Sequence, residues 1–166
     1  MPVTASTSSA AQTRGLAAAL AELARPGDVL LLIGDLGAGK TAFTQGFGAA
    51  LGVTELITSP TFTLARVYQG RLEMNHLDVY RLEQLDEVLD LGLQELLDGD
   101  SVTLIEWGDI IAPALASDYL EIRIAFGATD DEREITLVPV GNRWSARTRA
   151  FTAAIDQWCG PRQGGN

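Results

Sequence analysis

Apolar residues recur at helical spacing in four stretches of the chain, and we predict a helix in each. At the first stretch, Ser9 and Gln12 have the spacing of a capping box, in which the two side chains satisfy backbone amides at a helix start. The second stretch is followed by Gly52, a residue type that commonly ends a helix. The predicted helices are, in chain order, residue 9 to about 24, residues 40–51, residues 82–97 with a break at Gly92, and a final segment with Phe151, Ile155 and Trp158 on one face.

Short apolar runs and alternating segments between these stretches predict the strands. Residues 29–33 and 102–105 are continuous apolar runs, as expected of buried parallel strands. Residues 120–126 alternate between apolar and other side chains, which is typical of a half-buried antiparallel strand, and we expect residues 135–140 to pair with it. The two remaining predicted strands are residues 62–68 and 71–80, joined at Gln69 and Gly70.

The order of these elements predicts an α/β fold: a single three-layer domain with a mixed, mostly parallel central sheet and antiparallel edge strands. The length of 166 residues fits one domain and suffices to bury a core. We expect the domain to span residues 1–166, with residues 1–8 and 160–166 as flexible tails because these segments are rich in small and polar residues.

The composition favours a soluble protein from a reducing compartment. Hydrophobic residues make up 46% of the chain and charged residues 20%. The first residues lack the basic start and the long apolar stretch of a secretory signal, and no apolar run approaches the length of a membrane span. The single cysteine, Cys159, cannot form an internal disulfide. These features together predict a cytoplasmic location and no contact with a membrane.

The charge of the chain argues against direct binding to nucleic acid. The formal net charge is −10, and we find no basic face in the sequence of the kind that neutralises phosphates in nucleic-acid binders. Any RNA would therefore be held by another subunit. Among the 12 basic residues the only lysine is Lys40, and its retention in an arginine-rich set suggests a chemical need for an ammonium group.

Lys40 belongs to a Gly-x-x-x-x-Gly-Lys-Thr pattern that follows a predicted buried strand and opens a predicted helix, the context that a phosphate-binding P-loop requires. Glycines let the backbone wrap around phosphate, successive N–H groups form an anion nest, and the helix start adds its positive dipole end. Lys40 provides a charge for the β- and γ-phosphates, and the Thr41 hydroxyl is a Mg²⁺ ligand. These local donors outweigh the net charge, because long-range charge is screened within about 8 Å at physiological salt. The predicted loop residues are Gly34, Asp35, Leu36, Gly37, Ala38, Gly39, Lys40 and Thr41.

Two acidic residues lie at the carboxyl ends of predicted strands, where ligands bind in open α/β sheets. Glu106 follows residues 102–105 and is a candidate Mg²⁺ ligand, directly or through water. Asp78 lies two residues after His76, so both share a strand face, and Asp78 is a candidate for positioning or deprotonating the attacking water or for holding a metal-bound water. Thr61 offers a hydroxyl to Mg²⁺ or the γ-phosphate. The alternatives are ordinary strand-end charges, a structural histidine and a plain turn.

The predicted base is adenine. Residues 75–78 have only a partial likeness to the guanine-reading Asn-Lys-x-Asp pattern, because they lack the lysine and precede Glu106 in the chain. The expected ligands are therefore ATP or ADP together with Mg²⁺.

Four motifs, in this order and spacing, resemble those of the TsaE (YjeE) family of small bacterial ATPases of tRNA threonylcarbamoyladenosine synthesis. They are GDLGAGKT at residues 34–41, SPTFT at 59–63, HLDVYR at 76–81 and EW at 106–107. The sequence departs from the family pattern at Ala42, where a second Thr is usual, and at Gly108, where Pro is frequent.

The resemblance implies a P-loop ATPase domain that hydrolyses ATP weakly alone. It also implies partners: a TsaB–TsaD heterodimer, which transfers threonylcarbamoyl to the adenosine beside the anticodon of tRNA and which this chain would reset between turnovers, so that tRNA is met only through the partners. The residues matched to family roles are the catalytic Lys40, Asp78 and Glu106, the Mg²⁺ ligands Thr41 and Glu106, the nucleotide-sensing switch residues Ser59 and Thr61, and Arg133 near the nucleotide.

Two other functions stay open. A small-molecule kinase would use the same loop, but such enzymes usually carry an arginine-rich lid and an acceptor-binding segment, and only scattered arginines follow residue 107. A non-hydrolysing module, in which the nucleotide merely gates assembly, is the second alternative.

Overall fold

Seven strands, four α-helices and one 3₁₀ turn make up the described part of the chain, which comprises residues 2–35, 37–58, 65–78, 99–106 and 118–160 of a computed structural model. The strands are β1 (Val3–Thr7), β2 (Val29–Ile33), β3 (Ala65–Tyr68), β4 (Met74–Asp78), β5 (Val102–Glu106), β6 (Tyr119–Phe126) and β7 (Arg133–Val140). The helices are α1 (Ala10–Ala21), α2 (Lys40–Ala50), α3 (Asn142–Ser145) and α4 (Thr148–Ala154), and the 3₁₀ turn is Asp156–Trp158. The helix predicted at residues 82–97 lies outside the described residues.

The described strands form one mixed sheet in the order β1-β7-β6-β2-β5-β4-β3. Its centre is parallel, since β2 pairs with β5 and β6, and β5 pairs with β4. The outer pairs β1–β7, β7–β6 and β3–β4 are antiparallel. The predicted α/β fold is therefore confirmed. Strand β6 was predicted only as an antiparallel strand, and it also pairs parallel to β2, with Leu120 opposite Leu30.

Strand β2 is apolar at every position because both faces of the sheet exclude solvent there. Leu30 and Leu32 of β2 belong to a buried cluster that includes residues of α1, α2 and α4. Leu31 points to the opposite face and is fully buried as well, as is its register partner Ile105. Burial on both faces is what a three-layer α/β domain requires, and it explains the continuous apolar runs in the sequence.

Helices α1 and α2 approach each other closely on one face of the sheet. Gly46 of α2 lies against the carbonyl oxygen of Arg14 in α1, so a Cβ at this position would collide with the backbone. Helix α2 ends as predicted: Gly52 has φ +86°, and the N–H of Val53 donates to the carbonyl of Gly48 at 3.0 Å. This packing fixes α2 against α1 and leaves its first turn at the loop that follows β2.

The N-terminal segment is a strand, so the prediction of a flexible tail at residues 1–8 is wrong for residues 3–7. These residues pair with β7, from Val3 opposite Leu137 to Thr7 opposite Arg133. Thr7 is buried, and its hydroxyl oxygen lies 2.8 Å from that of Thr13 in α1. Strand β7 supplies backbone partners, so small and hydroxyl-bearing residues form an edge strand without a local hydrophobic pattern.

Helix α1 begins as predicted but ends three residues early. The Ser9 side chain accepts from the N–H of Gln12 at 3.1 Å, and the Gln12 side chain accepts from the N–H of Ser8 at 2.8 Å. The predicted box is thus formed with its second bond one residue earlier than in the usual pattern. The helix stops at Ala21, ahead of the turn at Gly27, which has φ +86°.

The hairpin connection is longer than the predicted turn at Gln69 and Gly70. Tyr68 pairs with Met74, so residues 69–73 connect the strands. Arg71 leaves the sheet because its N–H donates to the carbonyl of Leu51 at 2.7 Å and its Nη2 donates to the carbonyl of Ala21 at 2.5 Å. Residues 62–64 and 79–80 of the predicted strands lie outside the described residues.

The final helical segment is divided into α3, α4 and the 3₁₀ turn, so its predicted continuity is wrong. Its predicted face is right for Phe151 and Ile155, which are fully buried, while Trp158 is only partly buried. Arg147 lies between the two helices and donates to both carboxylate oxygens of Asp28 at 2.8 and 2.6 Å. This buried ion pair ties the C-terminal helices to the start of β2.

Candidate nucleotide and magnesium site

The parallel strands β2, β4 and β5 end at one edge of the sheet and bring predicted site residues together there. The loop of residues 34–39 leaves β2 and leads into α2. Asp78 ends β4 and Glu106 ends β5, and the two are register partners. On its other side Glu106 is paired with Leu32, two residues before the loop begins. The strand ends therefore place two carboxylates beside the loop.

The backbone of the loop has the conformation that its glycines predicted. Gly37 and Gly39 have φ of +81° and +116°, a region that other residues rarely adopt. A Cβ at either position would meet no atom within 4 Å, so glycine is required there for conformation rather than for space. Gly39 is the residue before α2, where no side chain caps the helix and the first turn holds no acidic residue. A helix start of this kind favours an anion at its amides.

The Lys40 side chain folds back onto the loop. Its Nζ donates to the carbonyl of Gly34 and lies 3.4 Å from the carbonyl oxygen of Asp35. Lys40 is 6% exposed, so its charge is held at the loop by backbone oxygens. The only ammonium side chain of the protein thus lies at the glycine loop, beside two of its carbonyl groups.

Polar side chains connect the start of α2 to β4. The Thr41 hydroxyl donates to Oε1 of Glu106 at 3.4 Å, and Oε2 of Glu106 lies 3.5 Å from Nε2 of His76. His76 is 0% exposed and Glu106 is 2% exposed. Asp78 shares its strand face with His76 and is 5% exposed. The carboxylate of Glu106 therefore links the predicted metal-binding hydroxyl to the buried histidine.

Arg133 contacts the loop from β7. Its Nε donates to the carbonyl of Ala38 at 2.8 Å, and its Nη2 lies 3.4 Å from the carbonyl oxygen of Gly37. The guanidinium lies 4.5 Å from the centroid of the Phe126 ring. Arg133 therefore braces the turn of the loop by holding its carbonyl groups.

A cleft of about 260 Å³ opens beside the loop. It is lined by Ala10, Thr13, Gly37, Ala38, Gly39, Ala42, Asp131 and Arg133. Sequence reasoning missed its residues from α1 and Asp131, because the start of α1 is brought to the loop by the pairing of β1 with β7 and by the packing of α1 on α2. No local pattern signals that pairing.

Three predicted binding residues, Leu36, Ser59 and Thr61, lie outside the described residues. The remaining predicted residues of the site lie in the loop, in the first turn of α2, at the two strand ends or, for Arg133, against the loop.

Comparison with protein families gives one match that covers most of the chain. The model of the family described as "Threonylcarbamoyl adenosine biosynthesis protein TsaE" matches residues 7–135. The chain belongs to the TsaE family. The matched residues include the loop, Asp78, Glu106 and Arg133.

Two relatives are named tRNA threonylcarbamoyladenosine biosynthesis protein TsaE. The one from Bacillus subtilis (strain 168) is 51% identical over 134 residues, which cover 80% of this TsaE-family chain and 83% of the relative. The one from Treponema pallidum (strain Nichols) is 44% identical over 129 residues, 78% of this chain and 95% of the relative. The crystal structure of YdiB from Bacillus subtilis aligns with a TM-score of 0.80 at 40% identity, over 92% of this chain and 95% of that one.

The oxygen donors in this TsaE-family chain fit Mg²⁺. Mg²⁺ takes hard oxygen ligands and is usually held by one or two carboxylates together with phosphates and water. Thr41 and Glu106 offer a hydroxyl and a carboxylate side by side. In the part of the chain that the structure describes, no group of three or more His, Cys, Asp and Glu side chains is arranged to hold a metal ion. The hydroxyl of Thr41 and the carboxylate of Glu106 are two oxygen donors of the kind that Mg²⁺ takes together with phosphates and water.

Among the residues that the structure describes, no helix has both the length and the apolar character needed to cross a membrane.

Proposed function

We propose that this TsaE-family chain binds ATP with Mg²⁺, hydrolyses it slowly, and serves as an accessory subunit in the formation of threonylcarbamoyladenosine in tRNA. The names of its relatives support the pathway. The observation that carries the chemistry is the meeting of buried Lys40 and Glu106 with half-buried Thr41 at a glycine loop that opens a helix.

Each of these residues has a defined part in the proposed reaction. The loop amides and the first turn of α2 bind the phosphates, and the Lys40 ammonium exchanges its contact with the Gly34 carbonyl for the β- and γ-phosphates. Thr41 and Glu106 hold Mg²⁺, which neutralises charge on the phosphates when bound. Asp78, beside Glu106 at the strand ends, orients or deprotonates the attacking water.

The cleft beside the loop is proposed to take the nucleoside. Its volume of about 260 Å³ and its position next to Gly37–Gly39 and Ala42 favour a group attached to loop-bound phosphates. Asp131 and Arg133 offer polar atoms at its rim, and the small side chains of Ala10 and Ala42 leave room for a flat ring. We infer that the bound pair is ATP and ADP. Ser59 and Thr61 are proposed to sense the nucleotide.

The proposed partners are TsaB and TsaD, whose complex transfers the threonylcarbamoyl group and is reset between turnovers by ATP binding and hydrolysis on this chain. A net charge of −10 supports indirect contact with tRNA, through these partners, in the cytoplasm.

Nucleotide binding is tested with the Lys40→Ala variant. Loss of the charge-assisted phosphate contact is expected to weaken MgATP binding by about 10- to 100-fold in titration calorimetry. Arg149→Ala, which removes an exposed cation from α4, is the charge-matched control and is expected to bind as the wild type does. Equal affinities in Lys40→Ala and the wild type would place the phosphates elsewhere.

Single-turnover measurement of labelled ATP, with and without TsaB and TsaD, separates the proposed ATPase from the two alternatives. Release of inorganic phosphate that rises with the partners supports the ATPase. No phosphate release under either condition supports a nucleotide-gated module, and fast transfer to a hydroxylated acceptor supports a kinase.

A further inference from the structure

The buried histidine of β4 has no part in the chemistry proposed above, and its surroundings are unusual. His76 is 0% exposed, and neither Nδ1 nor Nε2 has a hydrogen-bond partner in the structure as described. Buried polar atoms without partners are uncommon and costly, so each one asks for an explanation. Here Oε2 of Glu106 lies only 3.5 Å from Nε2, slightly too far for a well-formed hydrogen bond.

The two oxygens of the Glu106 carboxylate contact different elements. Oε1 accepts from the Thr41 hydroxyl at the start of α2, while Oε2 faces the histidine of the neighbouring strand. His76 and Glu106 point to the same face of the sheet, because the register pairs His76 with Leu104 and Asp78 with Glu106. A carboxylate engaged at both oxygens has one orientation, and a carboxylate engaged at one oxygen can turn.

We propose that His76 is a positioning residue: its Nε2–H donates to Oε2 of Glu106 and thereby keeps Oε1 turned towards Thr41 and the Mg²⁺ site. The proposal rests on the proposed function, because it concerns Glu106 as a metal ligand. Hydrogen bonds in such sites are often long without substrate and shorten in the complex. Partners that orient a ligating carboxylate change metal affinity by about 10- to 100-fold when they are removed.

The first test reads the proton on the ring directly. His76 is the only histidine of the chain, so its two ring nitrogens are assigned without ambiguity in a long-range ¹H–¹⁵N correlation spectrum of the full-length protein. We expect the proton on Nε2, and an Nε2 signal that moves in Glu106→Gln. A proton on Nδ1 alone overturns the proposal, because Nε2 then has no hydrogen to donate. An Nε2 signal unchanged by Glu106→Gln overturns it as well.

The second test measures the metal. His76→Gln keeps an amide donor near the position of Nε2, whereas His76→Leu removes the donor at similar volume. Electron paramagnetic resonance of Mn²⁺ added to the ADP complex is expected to give an affinity about 10-fold weaker in His76→Leu and close to the wild type in His76→Gln. Equal Mn²⁺ affinities in His76→Leu and the wild type would overturn the proposal.

Asn75→Ala is the matched control for the metal test. Asn75 precedes His76 in the same strand, is also buried, and points to the opposite face, where its amide donates to Ser101 Oγ at 2.7 Å. Its removal is expected to lower stability without changing Mn²⁺ affinity. If His76→Leu does not fold, the tautomer of the wild-type ring still decides. If the wild type binds no nucleotide, the proposed function fails, and the spectrum continues to test the contact between His76 and Glu106.

Discussion

Two cations of the site are held by the backbone of the loop rather than by acidic side chains alone. Lys40 donates to the carbonyl of Gly34 from α2, and Arg133 donates to the carbonyl of Ala38 from β7. The Ala38 carbonyl, which accepts from Arg133, cannot turn towards a phosphate, so the neighbouring loop amides are left to face it. Positive charge is thereby concentrated at one loop of a strongly acidic chain.

Replacing Asp78 by Asn tests the division of work between the two carboxylates. The amide cannot take a proton from water, so we expect the rate of hydrolysis in the presence of the partners to fall by about 100-fold or more. Nucleotide affinity is expected to change less than about threefold, because the proposed phosphate contacts come from the loop and Lys40 and not from Asp78. Single-turnover kinetics and calorimetry measure the two quantities. An unchanged hydrolysis rate would remove Asp78 from the reaction.

The residues of the loop were predictable because their chemistry is local. Gly37 and Gly39 adopt positive φ in a turn of a few residues, and the pattern of strand, loop and helix lies within residues 29–50. The position of Glu106 beside the loop followed from the rule that parallel strands end at one edge of the sheet, and its contact with Thr41 agrees with the prediction of both residues as Mg²⁺ ligands. The partnership of Glu106 with His76 did not follow, because it depends on side-chain orientation across two strands.

At the level of elements, the contact between α1 and α2 is expected to reverse the usual effect on stability of replacing a helical glycine by alanine. In an exposed helix, replacing Gly by Ala stabilises by about 1 kcal/mol. At Gly46 a Cβ would collide with the Arg14 carbonyl, so we expect Gly46→Ala to destabilise by about 1–3 kcal/mol instead. Urea unfolding measures the free energy. Ala49→Gly, at an exposed position of the same helix, is the control and is expected to cost about 1 kcal/mol through propensity alone.

The ion pair between Asp28 and Arg147 makes a second prediction for the elements that it joins. Both side chains are buried, so Arg147→Met leaves the Asp28 carboxylate with weaker partners and is expected to destabilise by about 3 kcal/mol. Arg149→Met, at an exposed position, is expected to change stability by less than about 0.5 kcal/mol. Asp28 precedes β2, whereas the loop follows β2 at the opposite end of the strand. Nucleotide affinity in the folded variant is therefore expected to stay unchanged. Similar stability of the two variants would show that the pair contributes little.

Elements were predictable where burial alone determines them. The apolar runs of β2 and β5 and the helical spacing of α2 each reflect faces that exclude solvent. Strand β1 was missed because its residues are held by pairing with β7, more than a hundred residues away. The turn at residues 69–73 was predicted at Gln69 and Gly70 but too short, because carbonyl groups of Leu51 and Ala21 accept from Arg71 and hold it away from the sheet. Long-range partners of this kind leave no local pattern.

Across the whole molecule, the two ends of the central strands have different tasks. The carboxyl ends of β2, β4 and β5 carry the loop and its acidic partners, and the amino end of β2 carries the buried pair of Asp28 and Arg147. The residues proposed for catalysis therefore lie at one edge of the sheet, and the contact that secures the C-terminal helices lies at the other. Variants at the two edges are expected to affect binding and stability separately.

The net charge of −10 makes the last prediction, which concerns RNA. Binding to a nucleic-acid backbone depends on basic side chains that release counterions, and it weakens steeply with salt. Three of the cations make internal contacts: Lys40 and Arg133 with the loop, and Arg147 with Asp28. We therefore expect the isolated chain to bind labelled tRNA no more tightly than about 10⁻⁴ M in fluorescence anisotropy, at about 50 mM as well as about 200 mM salt. Micromolar binding by the isolated chain that falls with added salt would mean that it meets tRNA directly, and the role assigned to its partners would have to change.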